Sequence, residues 1–206
     1  MKNNKTYRLA LLALFIALEI VLVVTPLGII PLGFIQITTM HIPAILAGIL
    51  LGRKAGATIG LVFGLASTTY AVLAPSPASL FFTPFYSIGQ YSGNIYSLVI
   101  AIVPRVLLGY FAGVLDDLFT KLKLPLSLNT ILTSIIASVL HTAMVMGLIF
   151  IFFKDQYVGL FGGSVTTIWA FILATLLSNG IAEAVFAGLL DWPIVAAVTK
   201  ISRKED

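Results

Sequence analysis

The sequence predicts an all-α membrane protein: a compact bundle of six transmembrane helices with both termini cytoplasmic. Three observations carry that prediction. Only 10% of the 206 residues are Asp, Glu, Lys or Arg, against about 25% in a soluble domain, and the mean hydropathy is +1.08. A soluble fold cannot hide that much apolar surface. The apolar residues also fall into runs long enough to cross a bilayer, separated by short polar or proline-rich linkers. Finally, the charge is segregated. With six crossings, Lys2, Lys5, Arg8, Arg53, Lys54, Lys121, Lys123, Lys200, Arg203 and Lys204 share the side that holds both termini, and only Lys154 lies opposite. Such an excess marks the cytoplasmic face, so the net charge of +4 needs no nucleic-acid partner.

The length suits one membrane-embedded domain over residues 1–206. A positive N-terminus before an apolar run resembles a signal peptide, but no cleavage site leads into a soluble chain, so a retained first helix is expected. That helix spans 7–24. Ala13 and Ala17 form a small-xxx-small pair with Ala10 near the same strip, a surface smooth enough for close docking. Glu19 lies inside the apolar run and is expected to face protein, protonated or hydrogen bonded. Thr25 to Thr38 contains Pro26 and Pro31, which argue against one continuous helix; it reads either as a cap over a site or as a lipid-grazing loop. A short second helix covers 39–51, with Thr38, Thr39 and His41 at its outer end. Gly52, Arg53 and Lys54 turn the chain into a third helix, 55–73, whose Gly56, Gly60 and Gly64 recur at spacing four and offer a flat packing face.

Ala74 to Asn94 is a second uncharged linker with three prolines and five aromatic residues. Phe85, Tyr86, Gln90, Tyr91 and Asn94 offer rings and hydrogen-bonding groups without charge, which suits a pocket lid or an interfacial aromatic belt. The fourth helix, 96–116, ends at Asp116 and Asp117. The fifth, 128–153, carries His141; Lys154 to Gly163 is expected as an outer loop. The sixth, 164–198, has a break expected near Pro193 and places Asn179 and Glu183 four residues apart on one face.

The central chemical feature is Arg105, a charge within the outer half of the fourth helix. A charge at that depth is expensive unless it faces a polar cavity or a partner. Two readings stand: Arg105 serves an enclosed site, or it snorkels or pins two helices together. Cysteine is absent, the two histidines fit no metal pattern, and there is no phosphate-binding loop, zinc motif or nucleophile–base pair. An enzyme is therefore not expected. The chain is also short for a transporter built from two inverted repeats, so a solute-binding protein of this size is expected to need partners to move its cargo.

Taken in order, several blocks resemble the substrate-binding S components of energy-coupling factor (ECF) vitamin transporters, most closely the pantothenate type. They are the alanine strip, Gln36 to Leu51 with Thr39, His41 and Pro43, Gly52 to Ala57, Phe82 to Phe85, Pro104-Arg105 with Gly109, and Asn179, Glu183 and Pro193-Ile194-Val195. The resemblance implies high-affinity capture of a vitamin from outside, pantothenate foremost. Folate, a hydroxymethylpyrimidine or thiamine precursor and riboflavin are alternatives within the family, and a non-transporting scaffold subunit is an alternative outside it. It implies docking of Ala10, Ala13 and Ala17 onto a transmembrane T component. It also implies two cytoplasmic ATPase subunits that use ATP and Mg, with no cofactor or metal in this chain. The substrate-binding set expected is Arg105, Asn179, His141, Tyr91, Asn94, Gln90, Tyr86, Phe85, Gln36, Thr39 and Glu183, within the lipid bilayer.

Overall fold

The computed structural model describes residues 5–25, 27–32, 35–162 and 164–202; Lys2, Pro26, Arg203 and Lys204 lie outside them. The chain is an all-α bundle. Helix α1 (Lys5–Val24) leads into a hairpin of β1 (Ile29–Leu32) and β2 (Ile35–Thr38), paired Ile29 with Thr38. Helices α2 (His41–Leu51) and α3 (Arg53–Leu73) follow. A 3-10 turn over Pro77–Phe81 and a minimal pairing of β3 (Ser87–Ile88) with β4 (Tyr91–Ser92) fill the second linker. Then come α4 (Ile95–Lys121), α5 (Leu126–Phe161), α6 (Val165–Thr175), a π turn (Leu176–Gly180) and α7 (Ile181–Ser202).

Among the described residues, five stretches are long and apolar enough to cross a membrane: α1, α3, α4, α5 and the continuous α6–α7 rod. Leucines, isoleucines and valines exposed along them, such as Leu14, Ile151 and Leu189, are suited to lipid, and the protein is a multi-pass membrane protein. Helix α2 differs. Its 11 residues are all buried, and at 1.5 Å per residue it falls far short of a roughly 30 Å hydrocarbon core. An apolar helix buried on every side is a core element, and α2 touches α1, α3, α4, α5 and α7.

Several boundaries differ from the expected ones. The first linker is a hairpin rather than an irregular loop, which satisfies backbone groups in a segment where Pro31 precludes helix. Helix α4 continues past Asp116 and Asp117 to Lys121. Lys154 lies inside α5, not in a loop; the helix runs on to Phe161 and stops where Gly162 adopts φ +75°, a conformation natural to glycine at a helix end. Helix α7 passes through Pro193. The irregularity of the sixth crossing falls instead at the π turn, which contains Asn179.

Two apolar clusters hold the bundle. The larger centres on α2, with Phe15, Ile59, Phe63, Leu108 and Val195 among its members. The smaller joins Leu80 and Phe81 of the second linker to Val145, Ile149, Phe153 and Tyr157 of α5 and to Ile168 and Ile172 of α6.

Candidate functional site

A cavity of about 320 Å³ lies where these two clusters meet, within the size range of small-molecule sites. Its floor is α3, where Phe63, Ser67, Tyr70 and Ala71 recur on one face, with Ala74 just past the helix end. Thr38 and Met40 come from the approach to α2, Ser76, Ala78, Ser79 and Phe82 from the second linker, Arg105 from α4 and His141 from α5.

Arg105 is put there by two features, one in its own helix and one in α3. Proline has no N–H, so Pro104 cannot donate to the carbonyl of Ile100 one turn earlier. The Arg105 guanidinium takes that role, Nη1 donating to the Ile100 oxygen at 2.6 Å. The second feature is the glycine face of α3. A β-carbon at Gly60 would overlap the Arg105 carbonyl oxygen, and one at Gly56 would overlap that of Gly109. The two backbones thus meet directly at the level of Arg105.

The guanidinium is 7% exposed. It sits 5.5 Å from the ring centre of Phe63 and 5.0 Å from that of Phe82, one ring from each apolar cluster. Both contacts are of cation–π type. Nε has no hydrogen-bond partner, and Arg105 makes no ion pair among the described residues. His141 lies with its ring 6.0 Å from that of Phe63, and its buried Nε2 is likewise unpartnered. The cavity therefore presents a buried cation and an imidazole between aromatic walls, with hydroxyls on Thr38, Ser67, Tyr70, Ser76 and Ser79. That arrangement can hold a small anion with polar groups.

The second linker is fixed over the cavity. Phe81 meets Phe153 edge-on at 5.5 Å and stacks on Tyr157 at 6.1 Å. Ser97 Oγ donates to the Leu80 carbonyl at 2.8 Å. Leu80 and Phe81 thereby anchor the segment, and the adjacent Ser79 and Phe82 face the cavity.

Of the expected binding residues, the structure brings Arg105 and His141 together at the cavity wall. Glu183 lies behind it: its Oε1 accepts from the Thr38 backbone N–H at 2.9 Å and from the Thr38 hydroxyl. The Thr39 hydroxyl donates to the Leu27 carbonyl at 2.6 Å, a tie within the first linker. Asn94 caps α4, its Oδ1 accepting from the Tyr96 N–H at 2.8 Å. Gln90 Nε2 donates to the Tyr91 hydroxyl at 3.0 Å on the β3–β4 turn, while Tyr86 and Tyr91 pack on the smaller cluster. Phe85 is 83% exposed. Asn179 sits in the π turn, its Oδ1 accepting from Ser178 Oγ at 3.3 Å. None of these eight lines the cavity. The Gln36 side chain lies outside what the structure describes.

Sequence reasoning missed Thr38, Phe63, Ser67, Tyr70, Ser79 and Phe82 as lining residues. The signal for three of them was present: Phe63, Ser67 and Tyr70 share a helical face next to the glycine stripe. Glu19 faces protein, as expected, and is fully buried; among the described residues neither carboxylate oxygen has a hydrogen-bond partner.

The alanine strip is open. Ala10, Ala13 and Ala17 are all exposed on α1, whose only buried residues are Phe15 and Glu19.

Residues 7–195 match the family described as "ECF transporter, substrate-specific component". The chain is 30% identical over 204 residues to the pantothenic acid transporter PanT of Lactococcus lactis subsp. cremoris, covering 97% of each chain. It is 36% identical over 120 residues to the pantothenate transporter PanT of Leuconostoc mesenteroides subsp. mesenteroides, covering 55% of this chain and 52% of the relative.

Proposed function

The chain belongs to the substrate-specific components of ECF transporters, and from that premise we propose that it captures pantothenate from outside the cell at the Arg105 cavity. Such components bind the transported substrate and are not catalytic; they work in a membrane complex with a T component and ATPase subunits. The finer assignment rests foremost on one observation: Arg105 is a buried guanidinium at a cavity wall with an unpartnered Nε and no carboxylate paired to it among the described residues.

Pantothenate is a small anion bearing two hydroxyls and an amide. Its carboxylate would pair with Arg105 in a charge-assisted bond strengthened by burial. His141 and the hydroxyls of Thr38, Ser67 and Ser79 would serve its polar groups, and Phe63, Met40 and Ala71 its dimethyl carbon. Glu183 accepts two hydrogen bonds from Thr38, which hold its carboxylate behind the cavity wall. The names of both pantothenate-transporting relatives support the same ligand.

In this reading both termini are cytoplasmic: the positive residues gather on their side, and α2, though short, brings the chain back to the level where α1 begins, with Arg8 bonded to the Leu51 carbonyl, so that six passes are completed. The cavity then opens outward beneath the two uncharged linkers, and the exposed alanine strip docks on the T component. Equilibrium binding of labelled pantothenate to the purified protein tests the ligand: saturable binding at micromolar concentration or below is expected, and its absence sinks the assignment. Arg105→Ala should weaken binding by at least about 2 kcal/mol, roughly thirtyfold, with the melting temperature retained. Wild-type affinity in that folded variant would remove the carboxylate role.

A further inference from the structure

A second concavity lies far from the Arg105 cavity, at the end of the bundle where α1 begins. Helices α1 and α3 are neighbours and leave between them a groove of about 380 Å³. Its α1 wall is Lys5, Arg8, Leu9 and Leu12, spaced so that all four share one face. Leu51 at the end of α2 and Lys54 at the start of α3 stand opposite.

Three properties define what fits there. The groove is cationic: Lys5, Arg8 and Lys54 line it, no acidic residue is among its described lining residues, and none of the three makes an ion pair among the described residues. By contrast, the neighbouring Arg53 is neutralised by Asp117 at 2.9 Å. The groove is also partly built. Arg8 Nη2 donates to the Leu51 carbonyl at 2.9 Å, so the last carbonyl of α2 holds the guanidinium at the wall. Lastly, polarity is graded along α1. Lys5 and Leu12 are separated by about 10 Å along the axis, with cations toward the helix start and leucines deeper in the span.

We infer that this groove binds an anionic phospholipid, with the phosphate inside the collar of Lys5, Arg8 and Lys54 and an acyl chain along Leu9 and Leu12. Guanidinium and ammonium groups between membrane helices at the polar boundary are matched to acidic headgroups. A zwitterionic headgroup would bring its own ammonium among three cations. Free phosphate would satisfy the collar but leave the leucine wall uncovered. The groove face is also distinct from the alanine strip: at 100° per residue, Ala10, Ala13 and Ala17 centre roughly a third of a turn away. A lipid and a docked partner can therefore occupy α1 together.

Thermal melting of the full-length protein in mild detergent, with phosphatidylglycerol, phosphatidylcholine or inorganic phosphate added, tests this. Phosphatidylglycerol should raise the midpoint by several degrees, and the other two should not. A combined Lys5→Gln, Arg8→Gln, Lys54→Gln variant should lose the shift, whereas Arg8→Lys, which keeps the charge, should retain most of it. Labelled pantothenate binding, measured in parallel, should be unchanged and reports that each variant is folded. An equal shift with phosphatidylcholine, a shift reproduced by inorganic phosphate alone, or a shift that survives the triple substitution in a folded protein would each overturn the inference.

Discussion

Arg105 combines a tie within its own helix with a place at the cavity wall. One guanidinium nitrogen completes the backbone of its own helix at the carbonyl that Pro104 leaves without a donor, while the unpartnered Nε remains at the cavity wall. The proline thus creates the anchor that holds the arginine's charge in place, so less side-chain freedom remains to be lost on ligand binding. Pro104→Ala restores a backbone donor to Ile100 and makes the anchor redundant. The variant should stay folded, with a melting temperature at or above that of the parent, and should bind pantothenate more weakly by about 1 kcal/mol, the scale of one hydrogen bond. Unchanged affinity would show that proline and arginine act independently. Glu183 illustrates the converse case: an acid placed beside Asn179 by its spacing is committed to Thr38 and ties the first linker to α7.

At the scale of elements, the glycine face of α3 sets the height of the site. Gly56 and Gly60 bring α3 against the α4 backbone at Gly109 and Arg105, and Phe63, the next residue along that face, is thereby placed beside the guanidinium. A methyl group at Gly60 has only rigid main chain to push against. Gly60→Ala should therefore cost about 1–3 kcal/mol of stability and weaken ligand binding with it. Gly147 on α5 provides the contrast, since a β-carbon there meets nothing within 4 Å. Gly147→Ala should be neutral or stabilising by up to about 1 kcal/mol. Equal melting temperatures for the two variants would count against the close approach of α3 and α4 as the determinant.

Across the whole molecule, the Arg105 cavity and the alanine strip lie on separate surfaces. The cavity lies between the two apolar clusters, and α1 contributes none of its lining residues. The alanine strip lies on the open face of α1, where flat small residues allow a partner helix to approach closely. Replacing Ala13 and Ala17 with Trp should reduce co-purification of the T component and ATPase subunits severalfold while leaving pantothenate binding at the parental level. Assembly at wild-type yield would exclude the strip as the docking surface.

Much of this was determined by the sequence alone. Low charge, apolar runs and segregated lysines and arginines specify a membrane bundle, because the bilayer penalises buried charge and unsatisfied backbone residue by residue. The smooth faces of α1 and α3 were legible for the same reason: a helix repeats its faces every three or four residues. Arg105 stood out as a lone charge inside an apolar run. The tertiary structure decided what such local rules cannot reach. Thr38, Phe82, Arg105 and His141 come from four segments, and no periodicity relates them; only the packing of α2 inside the bundle and the anchoring of Leu80 and Phe81 bring them to one cavity. Packing likewise assigned Asn94 to a helix cap and Glu183 to a linker tie, because a polar residue in an apolar setting bonds whichever partner the fold brings within reach. The groove beside Lys5, Arg8 and Lys54 exists for the same reason, since cations distant in sequence share a wall only once α1 and α3 lie side by side.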